Sequence, residues 1–519
     1  MGRKIIIGSR GSDLALWQAN FTKDQLTEAG HLVEIIIIRT KGDAIQHLSL
    51  DKIEGKGFFT KELEDALLDG SIDLAVHSHK DLPTTSPEGL LVAGVSYRED
   101  CSESLLIQPD AIDDLLPLHL KKGAIVGTSS FRRRSQLLHF RPDLEIRDIR
   151  GNVPTRVKKL EERKFDAIML ASAGLNRLNL EPEDIRREIV PPHVFIPAPA
   201  QGVLAYQVRE NDLEMKDIIG KINDAQVSNT ISVERIILNR LQGGCLLPLG
   251  AFCHAVHDDY HLWVSLKPDN EALKRLFIRG KSDDRNALAD LALKKIQSTS
   301  EKTVYISRDP ENADAFTRSL NAFGISVIAQ SPVAFETVEV GHIPMTDWVF
   351  FTSKRAVEHF LGQELMPAAV KIAAMGSGTD AALRANGIIP SFTGSDTDTR
   401  ITANRFLSEM SANTVLFPVA EQGLRQVQKE LENKIEVHEV TVYRSVSINL
   451  QEEIKADLFV FTSPSAVTAF SESQEIKGLK CIAIGKTTAK AIEKAGAEVL
   501  SIAPFTTLQA LADTVCGIL

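Results

Sequence analysis

The sequence predicts a multidomain α/β protein, and three observations carry that reading. The chain has 519 residues, too many for one hydrophobic core, and its length corresponds to roughly three or four domains. Strand and helix signals alternate through the first half. The last part repeats itself, so one αβ unit is expected to have been used twice. A hydrophobic content of 43% and a charged content of 25% are ordinary for a globular protein.

Ile5 to Gly8 and Leu32 to Ile38 read as buried strands around a helix from Leu14 to Leu26. Phe59, Leu63, Ala66 and Leu67 recur at helical spacing, and Gly70 stands where a C′ glycine belongs. Ile72 to Val76 is the next strand and leads into the loop of Lys80 and Asp81. A second unit follows Asp100. Ala124 to Gly127 is a strand, Thr128-Ser129-Ser130 offers N-caps, and Arg132 to Phe140 is a helix. Leu144 to Ile149 is a strand, and the Gly151-Asn152 turn opens a helix with Pro154 in its first turn. Phe165 to Leu170 closes the series as another strand. Such a βαβαβ order favours a mainly parallel sheet. Active groups then lie beyond the carboxyl ends of strands, where Asp81, Thr128 to Arg133 and Arg150 fall.

Pro191, Pro192, Pro197 and Pro199 mark a crossover between domains. A smaller α+β unit is expected from about Asn223 to Ser298, and Ser298 to Lys302 reads as a linker. Beyond it, Phe350-Phe351-Thr352-Ser353-Lys354-Arg355-Ala356-Val357 matches Val460-Phe461-Thr462-Ser463-Pro464-Ser465-Ala466-Val467. Gly376 pairs with Gly485, and Gly387 with Gly496, at a near-constant spacing. Two related halves leave a cleft between them.

Several classes are excluded. Cys101, Cys245, Cys253, Cys481 and Cys516 are odd in number and form no C-x-x-C pair. That argues against a disulfide framework and a structural zinc site, and for a reducing cytoplasm. No apolar run approaches the ~18–20 residues of a membrane span. The N-terminus is too short in apolar residues for a secretory signal, and Ile6 breaks the myristoylation pattern.

The formal charge is −10, yet Arg132, Arg133, Arg134, Arg141, Arg147, Arg150, Arg156 and Arg163 crowd one segment. The excess points to a site for several anionic groups; a solvated helix face is the alternative for any single arginine. Without interleaved aromatics the segment does not read as a nucleic-acid surface. Asp81 is either a turn residue or an anion that steadies a developing cation. His77 and His79 lack a third ligand, so no metal is expected. Cys245 follows Gly243-Gly244 and is either a small buried hydrophobe or a nucleophile or covalent tether.

Residues 1 to about 298 resemble porphobilinogen deaminase, also called hydroxymethylbilane synthase. The matching motifs are Ser9 to Gln18, Gly55 to Glu64, Ala75 to Pro83, Gly127 to Arg133, Arg150 to Arg156 and Gly243-Gly244-Cys245. The family's pattern is departed from at Phe131, Ala200, Val203 and Gln207. Residues 300–519 resemble uroporphyrinogen-III synthase through Asp347 to Val357, Ala374-Met375-Gly376, Val442-Tyr443, Asp457 to Val467 and Ala483 to Ala489.

The resemblance implies two periplasmic-binding-protein-like α/β domains, 1–100 with a return segment 196–222 and then 101–195. A small α+β domain, 223–298, would carry the cofactor cysteine. A two-domain synthase module would occupy 300–519, with about 300–335 plus 443–519 as one half and 336–442 as the other. It implies a bifunctional enzyme of tetrapyrrole (heme) biosynthesis. Four porphobilinogens would lose ammonia and condense to hydroxymethylbilane, which would then cyclise to uroporphyrinogen III. A dipyrromethane on Cys245 would prime the chain, held with Lys80, Ser130, Arg132, Arg133 and Arg156. Substrate arms would meet Arg10, Ser12, Thr128, Ser129, Arg150, Arg177 and Gln201. Asp81 would be catalytic. In the synthase half Tyr443 would assist loss of the hydroxyl, with Thr352, Ser353, Thr462 and Ser463 binding side arms. A cytoplasmic monomer acting on small molecules, with no nucleic acid, membrane or metal, is the expectation. The alternatives are a deaminase with an inactive C-terminal module and a non-catalytic anion-binding protein.

Overall fold

The computed structural model describes residues 2–519 except 40–59, 243–246, 270, 282, 364, 368–369, 395–398, 411–412 and 424. It is a mixed α/β multidomain chain of two compact units. One comprises 1–304, 314–327 and 503–519; the other comprises 305–313 and 328–502.

Two five-stranded sheets position the N-terminal site. The first runs in the order Leu32–Ile37, Lys4–Ser9, Leu74–Ser78, Leu204–Arg209, Leu90–Val95. Its opening pairs are parallel, but Leu204–Arg209 enters antiparallel to both neighbours. The second runs Glu145–Arg147, Ile125–Gly127, Ala167–Ala171, Glu103–Ile107, Arg186–Val190, and Glu103–Ile107 is antiparallel to both flanking strands. The expected mainly parallel sheet is therefore corrected to two mixed sheets. The parallel strands are those joined by helical crossovers. Leu204–Arg209 and Glu103–Ile107 instead arrive along crossover segments from the other sheet, so nothing constrains them to run with their neighbours.

The strand expected as buried at Leu32 to Ile38 is an edge strand. Leu32 is 66% and Ile37 56% exposed, and among the described residues it pairs only with Lys4–Ser9. The local signals behind the other elements do operate. Gly70 takes φ +81° behind the helix Lys61–Leu68, while Phe59 lies outside the described residues. Ser130 Oγ accepts from Arg133 N to cap Phe131–Phe140, and Asn152 Oδ1 accepts from Thr155 N to cap Val153–Glu161.

A three-stranded antiparallel sheet follows: Leu249–Val256, Asp259–Leu266 and Lys274–Lys281, with helices Ala225–Arg240 and Arg285–Gln297. The two compact units do not divide at the linker expected at 298–302. The helices Asp314–Asn321 and Leu508–Ile518 belong to the N-terminal unit. A Cβ on Gly517 would come within 1.9 Å of Phe277 O, so only glycine lets Leu508–Ile518 approach Lys274–Lys281 this closely. Asp513 pairs with Arg275 at 3.0 Å, and the two side chains are 1% and 0% exposed. Arg275 also donates to the carbonyls of Val194 and His193.

In the C-terminal unit the sequence repeat is a structural repeat. Trp348–Phe351 leads into Lys354–Leu361 through the N-cap Ser353; Leu458–Phe461 leads into Pro464–Ser473 through the N-cap Ser463. The two caps share their backbone, φ −156° and ψ 154° against φ −161° and ψ 157°. Gly376 and Gly485 likewise open Ser377–Ala385 and Lys486–Lys494, and Gly387 and Gly496 follow those helices at φ +76° and +87°.

Removing one partner of a buried ion pair strands the other charge. Asp513→Ala is expected to cost about 3–5 kcal/mol, and Arg275→Met with Asp513→Leu to recover most of it. Urea denaturation of the three chains reads both values; a loss below about 1 kcal/mol for Asp513→Ala contradicts the assigned burial.

Candidate functional site

The predicted arginine excess divides by position. Arg141 is buried and spent on Asp143 and on the carbonyls of Pro117, Leu120 and Lys121. Arg147 and Arg163 pair with Glu145 and Asp110 at the surface. These three serve structure, not a common anion site.

Arg132 and Arg133 open the helix Phe131–Phe140 and turn inward, 5% and 7% exposed. Their Nη2 atoms donate to the two oxygens of Glu103 at 2.6 and 2.7 Å. Nη1 of each meets a carbonyl, Ile196 O or Met169 O. Glu103 is fully buried. Burial pushes its carboxyl up, but Arg133 and Arg132 outweigh that and hold it below the usual range. Arg133 Nε remains buried without a partner.

Lys80 Nζ donates to Gln201 Oε1 at 3.3 Å, and Gln201 Nε2 donates to Cys101 O and Glu103 Oε1. Gln201 is fully buried with its amide spent, so it positions Lys80 and Glu103 where direct substrate contact was expected. Burial lowers Lys80 to about 8, with Asp81 opposing and Arg133 adding to the fall. Asp81 is exposed at the end of the short turn His79–Asp81. Arg235, from the helix Ala225–Arg240, clamps that turn by donating to His79 O, Leu82 O and Pro83 O.

Arg150 and Arg156 border the same charges. Arg156 is held down to about 10 by burial, then by Arg133 and Arg150, against the pull of Asp81; its Nε donates to Gly151 O. Arg177 is 8% exposed, bonds Gly202 O, lies over the Trp17 ring at 5.4 Å, and has its Nε buried without a partner. Arg10 ends the first strand region and acts electrostatically on His77. Ser12, Thr128 and Ser130 spend their hydroxyl oxygens on local turns and caps, while Ser129 Oγ donates to Ile149 O and accepts from Ile149 N, twenty residues away. His77 is buried against Gln207 and its value falls to about 4 through burial, and no metal-holding group occurs among the described residues. Cys245, with its two glycines, lies outside the described residues.

Sequence reasoning missed Glu103, Arg98, Glu234 and Arg235. Glu234 is fully buried, pairs with Arg98 at 2.7 Å, and accepts from Ala200 N and Cys253 N. It fixes the turn in which Ala200 takes φ +60°. An acid inside a buried strand, Glu103 before Ser-Leu-Leu-Ile, was the available signal.

In the C-terminal unit Tyr443 is half-buried on the strand Glu436–Ser447. It stacks on His359 at 5.1 Å and meets Phe335 edge-on at 5.9 Å. His359 Nδ1 lies 2.8 Å from Thr337 Oγ1. Arg355 sits over the Phe335 ring at 3.7 Å. Arg308 has a buried Nε with no partner, and burial and then Arg355 lower its value. Neither guanidinium has a carboxylate partner among the described residues. Thr462 Oγ1 and N bond Ser307, Ser353 and Ser463 cap helices, and Thr352 precedes the first cap half-buried. The missed residues here are Arg308, Arg355 and His359; Arg355 stands inside the repeat motif itself.

Residues 5–217 match the family model "Porphobilinogen deaminase, dipyromethane cofactor binding domain", and residues 314–513 match "Uroporphyrinogen-III synthase HemD". A porphobilinogen deaminase of Oceanobacillus iheyensis is 46% identical over 281 residues, 54% of this chain and 89% of that protein. One of Clostridium novyi is 41% identical over 303 residues, 56% of this chain and 99% of that protein. The crystal structure of uroporphyrinogen-III synthetase from Helicobacter pylori aligns at 18% identity and TM-score 0.32, over 40% of this chain and 95% of that one. No helix among the described residues is long and apolar enough to cross a membrane.

Lys80 is an unfavourable charge in the folded chain. Its value of about 8 lies below the ordinary 10.5, so between these limits the unfolded chain binds more protons and this group's contribution to stability rises with pH. On a Cys245→Ser background, Lys80→Met is expected to raise the urea midpoint at pH 7 and to raise it much less at pH 10. An equal gain at both pH values contradicts the shift.

Proposed function

The chain belongs to the porphobilinogen deaminase family, and from that premise we propose that it makes hydroxymethylbilane from four porphobilinogens and closes it to uroporphyrinogen III. The observation that carries the reading is the buried Glu103–Arg132–Arg133 cluster beside the Lys80–Asp81 turn. Two guanidiniums and an ammonium face one buried carboxylate, so the surplus charge is positive. A substrate with acetate and propionate arms supplies the missing anions.

In this reading, 1–100 with 196–222 and 101–195 are periplasmic-binding-protein-like domains, and 223–298 presents Cys245. The donor set fits a carboxylate-bearing dipyrromethane: Arg133 Nε is a buried N–H donor without an acceptor among the described residues, and Lys80 and Arg156 are buried cations whose values burial lowers. When bound through Cys245, the dipyrromethane supplies the pyrrole carbon from which the chain starts. Arg10, Arg150 and Arg177 hold the arms of the incoming pyrrole. As its C–N bond breaks and ammonia leaves, positive charge grows on the pyrrole. The Asp81 carboxylate, held by the Arg235 clamp, opposes that charge and accepts the ring N–H. Arg132 acts on the site through Glu103 as much as by direct contact.

In the C-terminal unit Arg308 and Arg355 receive carboxylates, and the capped helix starts after Ser353 and Ser463 receive others. Tyr443, oriented by His359, donates to the departing hydroxyl, and water leaves. Most of the rate comes from folding a flexible chain into one cyclising geometry.

Intact-mass measurement tests the first activity: the purified chain is expected to be heavier than its sequence by two pyrrole units, and Cys245→Ser to have the unmodified mass. An unmodified wild-type chain, even after incubation with porphobilinogen, overturns the deaminase reading in favour of simple anion binding. Asp81→Asn is expected to lower kcat by about 10²–10³ with little change in KM. For the second activity, Tyr443→Phe or Arg355→Ala is expected to leave hydroxymethylbilane formation intact while the product shifts from isomer III to isomer I. Unchanged isomer ratios in both variants exclude the site drawn here.

A further inference from the structure

The helix Phe131–Phe140 has a second working face. Arg132, Arg133 and Gln136 point inward, whereas Phe131, Arg134 and Leu138 line a cavity of about 740 Å³ on its other side. Phe131 and Leu138 are 42% and 37% exposed. The opposite walls come from Lys267 and Leu273 of the third sheet region and from Arg318 of the helix Asp314–Asn321. All of these lie in the N-terminal unit.

The cavity combines an apolar floor with separated cations. Lys267 has no ion-pair partner among the described residues. Arg134 reaches Asp148 only at 3.8 Å, and Arg318 holds Asp314 in a solvent-exposed pair at 3.2 Å. Asp269 is the acid on the lining, and His139 is held neutral by burial, its value lowered to about 4. Three cations against one lining acid favour an anion. Their separation favours several carboxylates over one, and the Phe131–Leu138–Leu273 floor favours a ring system over a bare ion. A volume within the roughly 300–1,000 Å³ of ligand pockets admits a large molecule.

We propose that this cavity binds a polycarboxylate tetrapyrrole, its ring on Phe131, Leu138 and Leu273 and its carboxylates on Arg134, Lys267 and Arg318. The choice of tetrapyrrole rests on the function proposed above; the cavity's preference for a ring-bearing polyanion does not. The ligand fastens the outer face of the arginine helix to the sheet region of Lys267 and Leu273. It is a site for released product, separate from the residues that make it.

The test is titration of the full chain with uroporphyrin III, a stable fluorescent octacarboxylate, followed by anisotropy. Compared with wild type, Lys267→Glu with Arg318→Glu is expected to lose one class of sites or weaken it at least tenfold. Ala272→Trp, which fills the cavity without changing charge, is expected to do the same. Both variants should retain the wild-type thermal midpoint without probe and the wild-type rate of hydroxymethylbilane formation. Identical isotherms in wild type and both variants overturn the proposal. So does displacement of the probe from this class by inorganic phosphate at equal concentration, which assigns a bare-anion site. If the chain makes no tetrapyrrole at all, the function proposed above fails while the isotherms still decide whether the cavity takes the probe.

Discussion

Glu103 stands at the head of a strand whose every residue is buried, and it accepts from two adjacent arginines of one helix. Taking such charges out of water costs several kcal/mol per ion, and a single carboxylate repays that only partly for two guanidiniums. With Lys80 coupled in through Gln201, the cluster stays positive. Among the described residues Asp81 offsets part of that charge, yet Arg133 Nε stays without a partner and Lys80 stays lowered. An arriving carboxylate completes the balance. The cluster therefore spends stability on affinity, the usual exchange at a preorganised anion site.

Around this cluster a second layer fixes the loops. Glu234 holds Arg98, Ala200 N and Cys253 N together, which sustains the left-handed turn before Gln201. Arg235, its neighbour on the same helix, binds three carbonyls of the turn bearing Asp81. One helix, Ala225–Arg240, thus steadies both the amide that relays Lys80 to Glu103 and the turn that carries Asp81. The C-terminal unit works differently. Ser353, Ser463, Gly376 and Gly485 are N-caps of its helices, and Arg308 and Arg355 are cations there with no carboxylate partner among the described residues.

Local chemistry was legible in the sequence where it acts locally. The caps Ser130 and Asn152, the C′ Gly70 and the repeated Thr-Ser helix starts all sit where short-range rules place them. The exposed strand Leu32–Ile37 was misread because an apolar run states that a segment is apolar, not how many neighbours cover it. Strand direction was misread for the same reason: Glu103–Ile107 and Leu204–Arg209 take theirs from the sheet they join. Of the site, the cations were legible and their counterion was not. Glu103 and Glu234 lie far in sequence from Arg132 and Arg98, and only the fold brings them together. Gln201 was identified from its motif, but its role as a relay depends on three partners far away in sequence.

The end of the chain shows how far covalent order and packing order diverge. Every residue from Ala510 to Gly517 is buried, including Asp513. An acid in the middle of so apolar a helix makes no sense within its own segment. It is explained by Arg275, whose remaining N–H groups bind His193 and Val194 in the proline-rich crossover. Phe505 stacks on that same His193 at 3.7 Å. The last residues are thus a structural part of the N-terminal unit. A cut between 298 and 314 removes the carboxylate that neutralises Arg275 and uncovers the sheet beneath Gly517. Dividing the chain where the two family matches meet therefore leaves the buried charge on one side and its partner on the other.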